Sequence, residues 1–308
     1  MRFAFKTSPQ STSWPDLLAL WRAADAIEVF ESGWLSDHFH ATHGADPATP
    51  RLECWTALAA LAQATSRLRL GTLVTGVHYR HPAVLANMAA TVDVLSGGRL
   101  ELGVGAGWNA EESDAYGIRL GTPGERSDRF EEACRVLTAL LSPQPTTTFE
   151  GAHYRLTDAR CEPKPLQRPH PPLCVGGNGE KRTLRTAARY AQHWNYDLGP
   201  IEGFRRARDV LHAHCADIGR DPATIRLSCQ LRHTGDPAET AATARAFAEE
   251  GADLAIVYLT PPYTPAVLEP LAEALTRREG TRRSSPPAGP AVRTRPHTPG
   301  GPSCCPPW

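Results

Sequence analysis

The chain has 308 residues, and its 33 lysines and arginines balance 33 aspartates and glutamates, so the formal net charge is zero. A protein that binds nucleic acid by neutralising phosphates carries an excess of basic residues, which this chain lacks. No stretch approaches the roughly 18 consecutive apolar residues of a membrane-spanning helix, and the polar N-terminus does not resemble a signal peptide. Composition therefore predicts a globular, cytoplasmic protein with neither a nucleic-acid nor a membrane partner.

Short β-rich segments alternate with longer helical patterns along most of the chain, which is typical of a parallel sheet covered by helices. Eight strands are predicted, at Arg2–Thr7, Trp34–Asp37, Arg67–Thr75, Arg99–Val104, Leu173–Val175, His193–Asp197, Ile225–Leu231 and Asp253–Leu259. A helix is predicted after each strand. The first four helices begin near Asp16, Cys54, Pro82 and Arg126, and the fifth ends at Ala191. The last three cover about Glu202–Ile218, Ala238–Glu250 and Ala266–Leu275. A hairpin is expected over Thr147–Thr157, before a proline-rich connector.

Eight β/α units are the number that closes a (β/α)8 barrel. The sequence therefore predicts an α/β fold, a TIM barrel over residues 1–275 with a hairpin insertion after the fourth strand. A doubly wound open sheet is the main alternative. Residues 276–308 are rich in proline, glycine and serine without apolar periodicity, so this segment is predicted to be a disordered tail. The tail holds six arginines and one glutamate, which leaves the predicted barrel acidic.

Two glycine-rich segments lie where such a barrel places its active site, at the C-terminal ends of the strands. Gly176, Gly177, Asn178 and Gly179 follow the fifth strand, and exposed N–H groups at the start of a helix attract a phosphate. Lys181, expected in the first helical turn, and Thr183 could add donors. The fourth strand ends in the G-x-G-x-G pattern of residues 103–107, which admits a flat ligand close to the backbone and is not the Rossmann pattern. A plain turn and dense barrel packing remain the alternatives for the two segments.

His38 and His40 after the second strand indicate a different possibility, a catalytic metal in a barrel hydrolase. Such a site needs further ligands, and the fifth, sixth and eighth predicted strands end without a histidine. The eight cysteines include no C-x-x-C pair, so free thiols are expected rather than a zinc site. We therefore expect no metal.

Three segments together resemble the luciferase-like monooxygenase superfamily, in particular its oxidoreductases that depend on coenzyme F-420, an 8-hydroxy-5-deazaflavin. They are FESGWLSDHF (30–39), RLRLGTLVTGVHYRHPAVLANMAATVDVLSGGRLELGVGAGWNAEE (67–112) and GGNGEKRTLRTAARYAQHWN (176–195). The resemblance covers about residues 2–275 and implies a (β/α)8 barrel that transfers a hydride between F-420 and a small organic substrate. An FMN-dependent monooxygenase that uses reduced flavin and O2 is the alternative, because both branches share most binding residues. Since family members are often dimers, a homodimer is an open alternative to a monomer.

The resemblance also assigns site residues. His38 matches the histidine of the family's D-H-F segment near the reactive face of the ring, with Asp37 as its orienting partner. A histidine of ordinary pKa, about 6.5, suits hydrogen bonding or proton transfer near neutrality. A non-proline cis peptide is implied at Gly76–Val77, where a bulge would press against the ring. The cofactor-binding residues implied are Thr75, Gly76, Val77, Gly105, Gly107, Asn109, Gly176, Gly177, Asn178, Gly179 and Lys181.

The sequence departs from the family's sugar-phosphate dehydrogenases at two places. Those enzymes have a tryptophan shortly after the D-H-F segment, where this chain has His40, Ala41, Thr42 and His43. They also have a glutamate after the strand-four glycines, where this chain has Trp108 and Asn109. Sugar-phosphate oxidation is therefore not predicted, and neither the substrate nor the direction of hydride transfer follows from the sequence.

Overall fold

The computed structural model describes residues 1–42, 46 and 48–277, in which eleven strands and nine α-helices alternate. The strands are β1 (Arg2–Thr7), β2 (Phe30–Leu35), β3 (Arg69–Thr72), β4 (Thr75–Gly76), β5 (Leu100–Gly105), β6 (Thr147–Glu150), β7 (Arg155–Ala159), β8 (Leu173–Gly176), β9 (His193–Tyr196), β10 (Arg226–Arg232) and β11 (Leu254–Tyr258). The helices are α1 (Trp14–Asp25), α2 (Cys54–Ala64), α3 (Pro82–Leu95), α4 (Ala110–Ala115), α5 (Pro123–Leu141), α6 (Thr183–Tyr190), α7 (Ile201–Asp217), α8 (Pro237–Glu249) and α9 (Leu268–Thr276).

The parallel strands close on themselves into a barrel. Hydrogen-bonded neighbours follow the order β3-β2-β1-β11-β10-β9-β8-β5, and β5 pairs back with β3 at Leu100 and Leu70. The two-residue strand β4 continues the third strand position and also pairs with β5. The predicted (β/α)8 barrel is therefore confirmed, because an open doubly wound sheet would leave two unpaired edges.

Side chains on each strand point alternately into the barrel and outward to the helices. On β1, Phe5 points outward and contacts the rings of Trp21 and Phe30, at centroid distances of 5.1 and 5.7 Å. The outer layer between strands and helices holds most of the apolar core, whereas the interior holds a small cluster of Ala4, Trp34, Leu73, Cys174, Leu254 and Ile256. The interior above this cluster is therefore left for polar side chains and for the site.

The predicted hairpin follows the fourth strand position, as the antiparallel pair β6–β7. Its turn is fixed by α5, because the carboxylate of Glu132 accepts hydrogen bonds from the N–H groups of Ala152, His153 and Tyr154. The hairpin therefore packs on a barrel helix and leaves the strand order unchanged.

The predicted strand bounds match the observed ones within one residue at six strands, and the second and third strands differ by more. The second begins at Phe30 rather than Trp34, because the Phe30 ring belongs to the outer core. The third ends at Thr72 and resumes at Thr75, and the non-proline cis peptide joins Leu73 and Val74. The prediction of a cis bond at Gly76–Val77 is wrong. The bulge comes earlier because the Val74 side chain needs the space that facing glycines on β5 and β8 leave open.

Six cysteines lie in the described residues, and all six are buried free thiols, as the sequence predicted. No helix among the described residues is long and apolar enough to cross a membrane. His43, Cys304, Cys305 and the predicted tail from residue 278 onward lie outside the described residues.

Replacing Gly103 with alanine is expected to lower the free energy of unfolding by about 3 kcal/mol. The added Cβ would lie well inside van der Waals contact with the carbonyl oxygen of Thr72, which is backbone and cannot turn aside. The Thr72 hydroxyl also donates to the Gly103 carbonyl oxygen at 2.7 Å, which fixes the two strands together. Urea denaturation followed by circular dichroism measures the change.

The matched control for that variant is Gly124→Ala in α5, where a Cβ meets no atom closer than 3.9 Å. This substitution should leave stability unchanged or raise it by about 0.5–1 kcal/mol, since alanine favours the helix. Equal stability of the two variants would contradict the close approach of β3 and β5.

Candidate active site

A cavity of about 500 Å³ opens at the C-terminal ends of the barrel strands, a volume typical of small-molecule sites. One part of its wall is mostly backbone and consists of Leu73, Val74, Gly76, Gly105, Gly107, Gly176 and Gly177. Another part consists of polar and charged side chains, among them Lys6, Asn195, Asp197, Gln230, Arg232 and Tyr258. His38, Tyr79 and Trp108 also line it. The cavity therefore lies where the barrel fold places catalysis.

A second cavity of about 590 Å³ lies between the hairpin, α5 and the segment after β4. Its arginines already have partners. Arg80 pairs with Asp37, Arg119 pairs with Glu125, and Arg129 donates to backbone carbonyl oxygens. We therefore take the strand-end cavity as the candidate site.

The glycine wall is flat because Val74 occupies the space that side chains would fill. A Cβ on Gly105 would lie 2.8 Å from Val74 Cγ2, and a Cβ on Gly176 would lie 2.6 Å from Val74 Cγ1. Gly107 has a φ of +86°, which glycine adopts without strain, and the His78 ring occupies the position of its missing Cβ. These contacts leave a surface of backbone and one valine side chain, to which a flat ring can lie parallel.

His38, Glu112 and Tyr79 form a hydrogen-bonded cluster at the edge of the cavity. His38 Nδ1 lies 2.7 Å from Glu112 Oε2 and 3.1 Å from the Tyr79 hydroxyl, which itself donates to Glu112 Oε2. The second oxygen of Glu112 accepts from the backbone N–H groups of Phe39 and His40 at 2.5 and 3.3 Å. One buried carboxylate therefore orients His38 and fixes the loop after β2.

The protonation state of Glu112 follows from these contacts. Burial by itself would raise the pKa of Glu112, but hydrogen bonds from His38, Tyr79 and the Phe39 N–H outweigh it and lower the pKa to about 2. Burial and the bond to Glu112 raise the pKa of Tyr79. The carboxylate is therefore ionised and the phenol neutral near pH 7, so Glu112 favours the proton on His38 Nδ1.

Asp37 is not the orienting partner of His38. Both its oxygens accept from Arg80, at 2.6 and 3.3 Å, and Arg80 also donates to Glu53 at 2.6 Å. The loop is held on its other side by Arg51, which donates to the carbonyl oxygens of Ser36 and His38. Asp37 therefore positions the loop that carries His38 and does not contact the imidazole.

The carboxylate missing from the sequence prediction is Glu112, three residues beyond Asn109. Asn109 caps α4, since its side chain accepts from the Glu112 N–H at 3.3 Å, and this turn carries Glu112 back to the strand end. The cap residue three positions before a glutamate was the available signal. The positions that correspond to the family's glutamate in sequence, Trp108 and Asn109, lie one helical turn before Glu112.

The loop after β8 reaches the cavity through Gly176, Gly177 and Thr183. Helix α6 begins at Thr183 rather than before Lys181, so Lys181 lies in the preceding turn and is exposed. No side chain caps the first turn of α6, where the Leu184 N–H donates to the Gly179 carbonyl oxygen at 3.0 Å. An uncapped helix start of this kind attracts an anion. Asn178 instead accepts from the Asp197 N–H at 3.1 Å, which ties the loop to the segment after β9.

The predicted cofactor residues divide into two groups. Those among the described residues that line the cavity are Gly76, Gly105, Gly107, Gly176 and Gly177. Those outside the lining are Thr75, Val77, Asn109, Asn178, Gly179 and Lys181. Thr75 accepts from Trp55 in the outer layer at 3.0 Å, and Val77 is buried in the outer core. Both residues therefore support the wall from behind.

The two histidines of the alternative metal site have separate partners. His38 contacts Glu112, whereas His40 Nδ1 lies 2.8 Å from the Ala41 carbonyl oxygen and its ring stacks on Tyr116. Among the described residues, no group of three or more His, Cys, Asp or Glu side chains is placed to hold a metal ion. The geometry thus gives no support to the barrel-hydrolase alternative.

The sequence matches a known protein family and is similar to individual proteins. The family described as luciferase-like monooxygenase matches residues 1–295 of the chain. Phthiodiolone/phenolphthiodiolone dimycocerosates ketoreductase of Mycobacterium tuberculosis is 32% identical over 225 residues, which cover 66% of this chain and 57% of that protein. The chain thus spans little more than half the length of this relative.

Two solved structures are similar over most of this chain. An F-420-dependent secondary alcohol dehydrogenase in complex with an F-420–acetone adduct has a TM-score of 0.79 at 19% identity, covering 90% of this chain and 99% of its own. The monooxygenase RslO1 from Streptomyces bottropensis has a TM-score of 0.72 at 20% identity, covering 89% and 98%. At these identities the likeness establishes the fold.

Glu112→Gln is expected to lower the free energy of unfolding by about 1–3 kcal/mol at pH 7, because its amide leaves donors in the cluster without an acceptor. The folded pKa of about 2 is below the ordinary value of 4.5, so the carboxylate stabilises the fold above pH 4.5 and this contribution is lost as the pH falls towards 2. The difference in free energy of unfolding between wild type and variant should therefore become smaller below pH 4.5. Urea titrations from pH 7 to pH 3 measure it.

The matched control is Glu111→Gln, at the exposed neighbouring position on α4. It should change stability by less than about 0.5 kcal/mol at every pH. If the difference in free energy of unfolding between wild type and Glu112→Gln stays constant down to pH 3, the fold does not hold the Glu112 carboxylate in its ionised form.

Proposed function

The chain belongs to the luciferase-like monooxygenase family, and from this premise we propose that it is an oxidoreductase that transfers a hydride between coenzyme F-420 and a carbonyl or alcohol substrate. The proposal rests on the observation that one cavity has both a flat wall for a ring and a proton-handling cluster. A flat glycine wall lies at the strand ends, and the His38–Glu112–Tyr79 cluster lies at its edge.

The residues present fit a flat cofactor. Val74 covers Gly105 and Gly176, so a ring would rest on the bulge and on backbone. The Gly177 N–H donates to the Asn195 carbonyl oxygen at 3.2 Å, so a phosphate would be held by N–H groups further along the loop, at the uncapped start of α6. The bound deazaflavin would supply the hydride chemistry, and the protein supplies orientation and exclusion of water.

His38 is the residue that would handle the proton. Its Nδ1 is engaged by the ionised Glu112, which leaves Nε2 to contact a ligand. Reduction of a ketone to an alcohol needs one hydride and one proton on oxygen, and a protonated Nε2 can donate that proton. In the reverse direction the neutral Nε2 accepts the alcohol proton. Glu112 and Tyr79 keep the ring oriented in both directions.

The substrate class is supported by two relatives of different kinds. The relative from Mycobacterium tuberculosis is named a ketoreductase, and one similar structure is that of a secondary alcohol dehydrogenase. Both names describe the interconversion of a carbonyl and an alcohol. The proposed reaction uses the same chemistry, and it needs one proton-handling group at the substrate oxygen, for which His38 is placed.

A flavin-dependent monooxygenase is the second candidate, favoured by the likeness to the monooxygenase RslO1. The same glycine wall would accept FMN, since it recognises a flat ring by shape. The two candidates differ in the cofactor bound and in whether O2 is consumed. Cofactor binding therefore separates them.

Apo-protein should bind F-420 with at least about tenfold higher affinity than FMN, because the proposed reaction requires the deazaflavin. Fluorescence titration of both cofactors into the same preparation measures this ratio. Gly105→Ala should weaken binding of F-420, since its Cβ displaces Val74 from the wall, and Gly124→Ala should not. Tight binding of FMN together with weak binding of F-420 would favour the monooxygenase.

His38→Asn should slow the reduction of ketones by reduced F-420 by a factor of about 100 or more, while F-420 affinity changes less than about threefold. The substitution removes the proton-handling Nε2 and keeps a polar side chain. A panel of ketones followed by the absorbance of the oxidised cofactor gives turnover, and fluorescence titration gives affinity. His40→Asn is the control and should leave both unchanged, because His40 does not line the cavity. Equal losses of turnover and affinity in His38→Asn would make His38 a binding residue only.

A further inference from the structure

Three neighbouring strands place Lys6, Tyr258 and Arg232 in one row of the cavity wall. In the sheet register Tyr258 of β11 is paired with Lys6 of β1 on one side and with Arg232 of β10 on the other. Lys6 Nζ lies 4.8 Å from the centroid of the Tyr258 ring, and Arg232 Cζ lies 5.2 Å from it. Two cations thus share one aromatic ring and line the same cavity.

Neither cation is neutralised by a contacting carboxylate among the described residues. Lys6 Nζ donates to the neutral Gln230 Oε1 at 2.9 Å, and Arg232 contacts the Tyr258 ring. The acid that acts on Lys6 is Asp197, whose Oδ1 accepts from Gln230 Nε2 at 2.9 Å. One acid beside two cations leaves the row with an excess of positive charge.

Arg51, behind the loop after β2, also acts on Lys6, and the acids Glu112 and Asp37 lie near it. It donates to the carbonyl oxygens of Ser36 and His38 and to Gln10 Oε1, all of them uncharged groups. Burial lowers the pKa of Lys6 to about 8, with Asp197 opposing this and Arg51 and Arg232 adding to it. A cation removed from water in this way is stabilised by an anion that takes the place of the lost solvent.

The Lys6 amine is also held in place before any ligand arrives. Gln230 receives it and is fixed in turn, because its amide donates to Asn195 Oδ1 at 2.9 Å as well as to Asp197. Asn195 is anchored below by donating to Ser228 at 2.8 Å. A lysine whose hydrogen-bond partner is itself held by two further side chains loses little conformational freedom on binding, which favours affinity.

We propose that Lys6 and Arg232, on either side of Tyr258, bind an anionic group of the substrate, a carboxylate or a phosphate. The inference rests on the proposed function, since it names the substrate class of the same cavity. Strand order supports the assignment to the substrate rather than to the ring. The row lies on β10, β11 and β1, whereas the glycine wall lies on β3–β4, β5 and β8. His38 follows β2, next to β1, and lines the same cavity, so a substrate anchored at this row can extend towards the imidazole.

The test uses three probes of one shape, namely phenyl phosphate, benzoate and the neutral benzyl alcohol, titrated calorimetrically into the full chain at pH 7. At least one anion should bind at least about tenfold more tightly than benzyl alcohol. Lys6→Met and Arg232→Gln should each reduce anion affinity about tenfold or more and leave benzyl alcohol unchanged. Arg155→Gln, on the exposed hairpin pair with Glu150, is the control and should change nothing.

The pH dependence gives a second readout. Anion affinity should fall between pH 7 and pH 9 as Lys6 loses its proton, and this fall should be absent in Lys6→Met. The charged and titratable groups that face Lys6 are Asp197, Arg232, Arg51 and Tyr258. Since Arg232 is exposed, Arg232→Gln keeps the proposal testable even if Lys6→Met does not fold.

Other results of these titrations would overturn the proposed anion site or the proposed function. Equal affinity for benzyl alcohol and the anions, or anion affinity unchanged in both variants, overturns it. Repeating the titration with F-420 bound separates the two sources of an anion, because loss of phenyl phosphate and benzoate binding would assign the row to the cofactor and overturn the substrate assignment. A chain that binds the anions through the row but binds no F-420 would instead refute the proposed function and keep the anion site.

Discussion

The buried carboxylate of Glu112 is the contact on which the arrangement of the candidate site depends. It joins α4 to two other segments, because it accepts from Tyr79 and also from His38 and the backbone of the loop after β2. A carboxylate with no exposed surface is tolerated only when donors surround it. Those donors therefore fix the imidazole and hold Glu112 ionised.

The mouth of the barrel combines two kinds of wall. Backbone glycines and Val74 recognise shape, and they impose no charge on a ring placed against them. The row of Lys6, Tyr258 and Arg232 recognises charge and is held by polar side chains from inside the barrel. His38 follows the strand between these two regions, so a ligand that spans the cavity passes its imidazole. This division would allow one fold to keep its glycine wall while the charged row changes.

The fold and the glycine segments could be predicted from sequence because their signals are local. Each strand, each helix and the glycines around residues 103–107 and 176–179 occupy a short window of the sequence. The strand bounds were less predictable. The third strand continued through Thr75 by its apolar pattern, yet Val74 needs space opposite Gly105 and Gly176, which lie elsewhere in the chain.

The sequence by itself determined a (β/α)8 barrel, a family resemblance and the position of His38 at the end of the second strand. Only the tertiary structure decided what His38 contacts, because Glu112 lies 74 residues away and reaches it through a helical turn capped by Asn109. It also decided that Asp37 pairs with Arg80, and that Lys6 and Arg232 flank one ring. Barrel closure is the physical reason, since it brings the first strand beside the last and gives side chains partners that no local window contains.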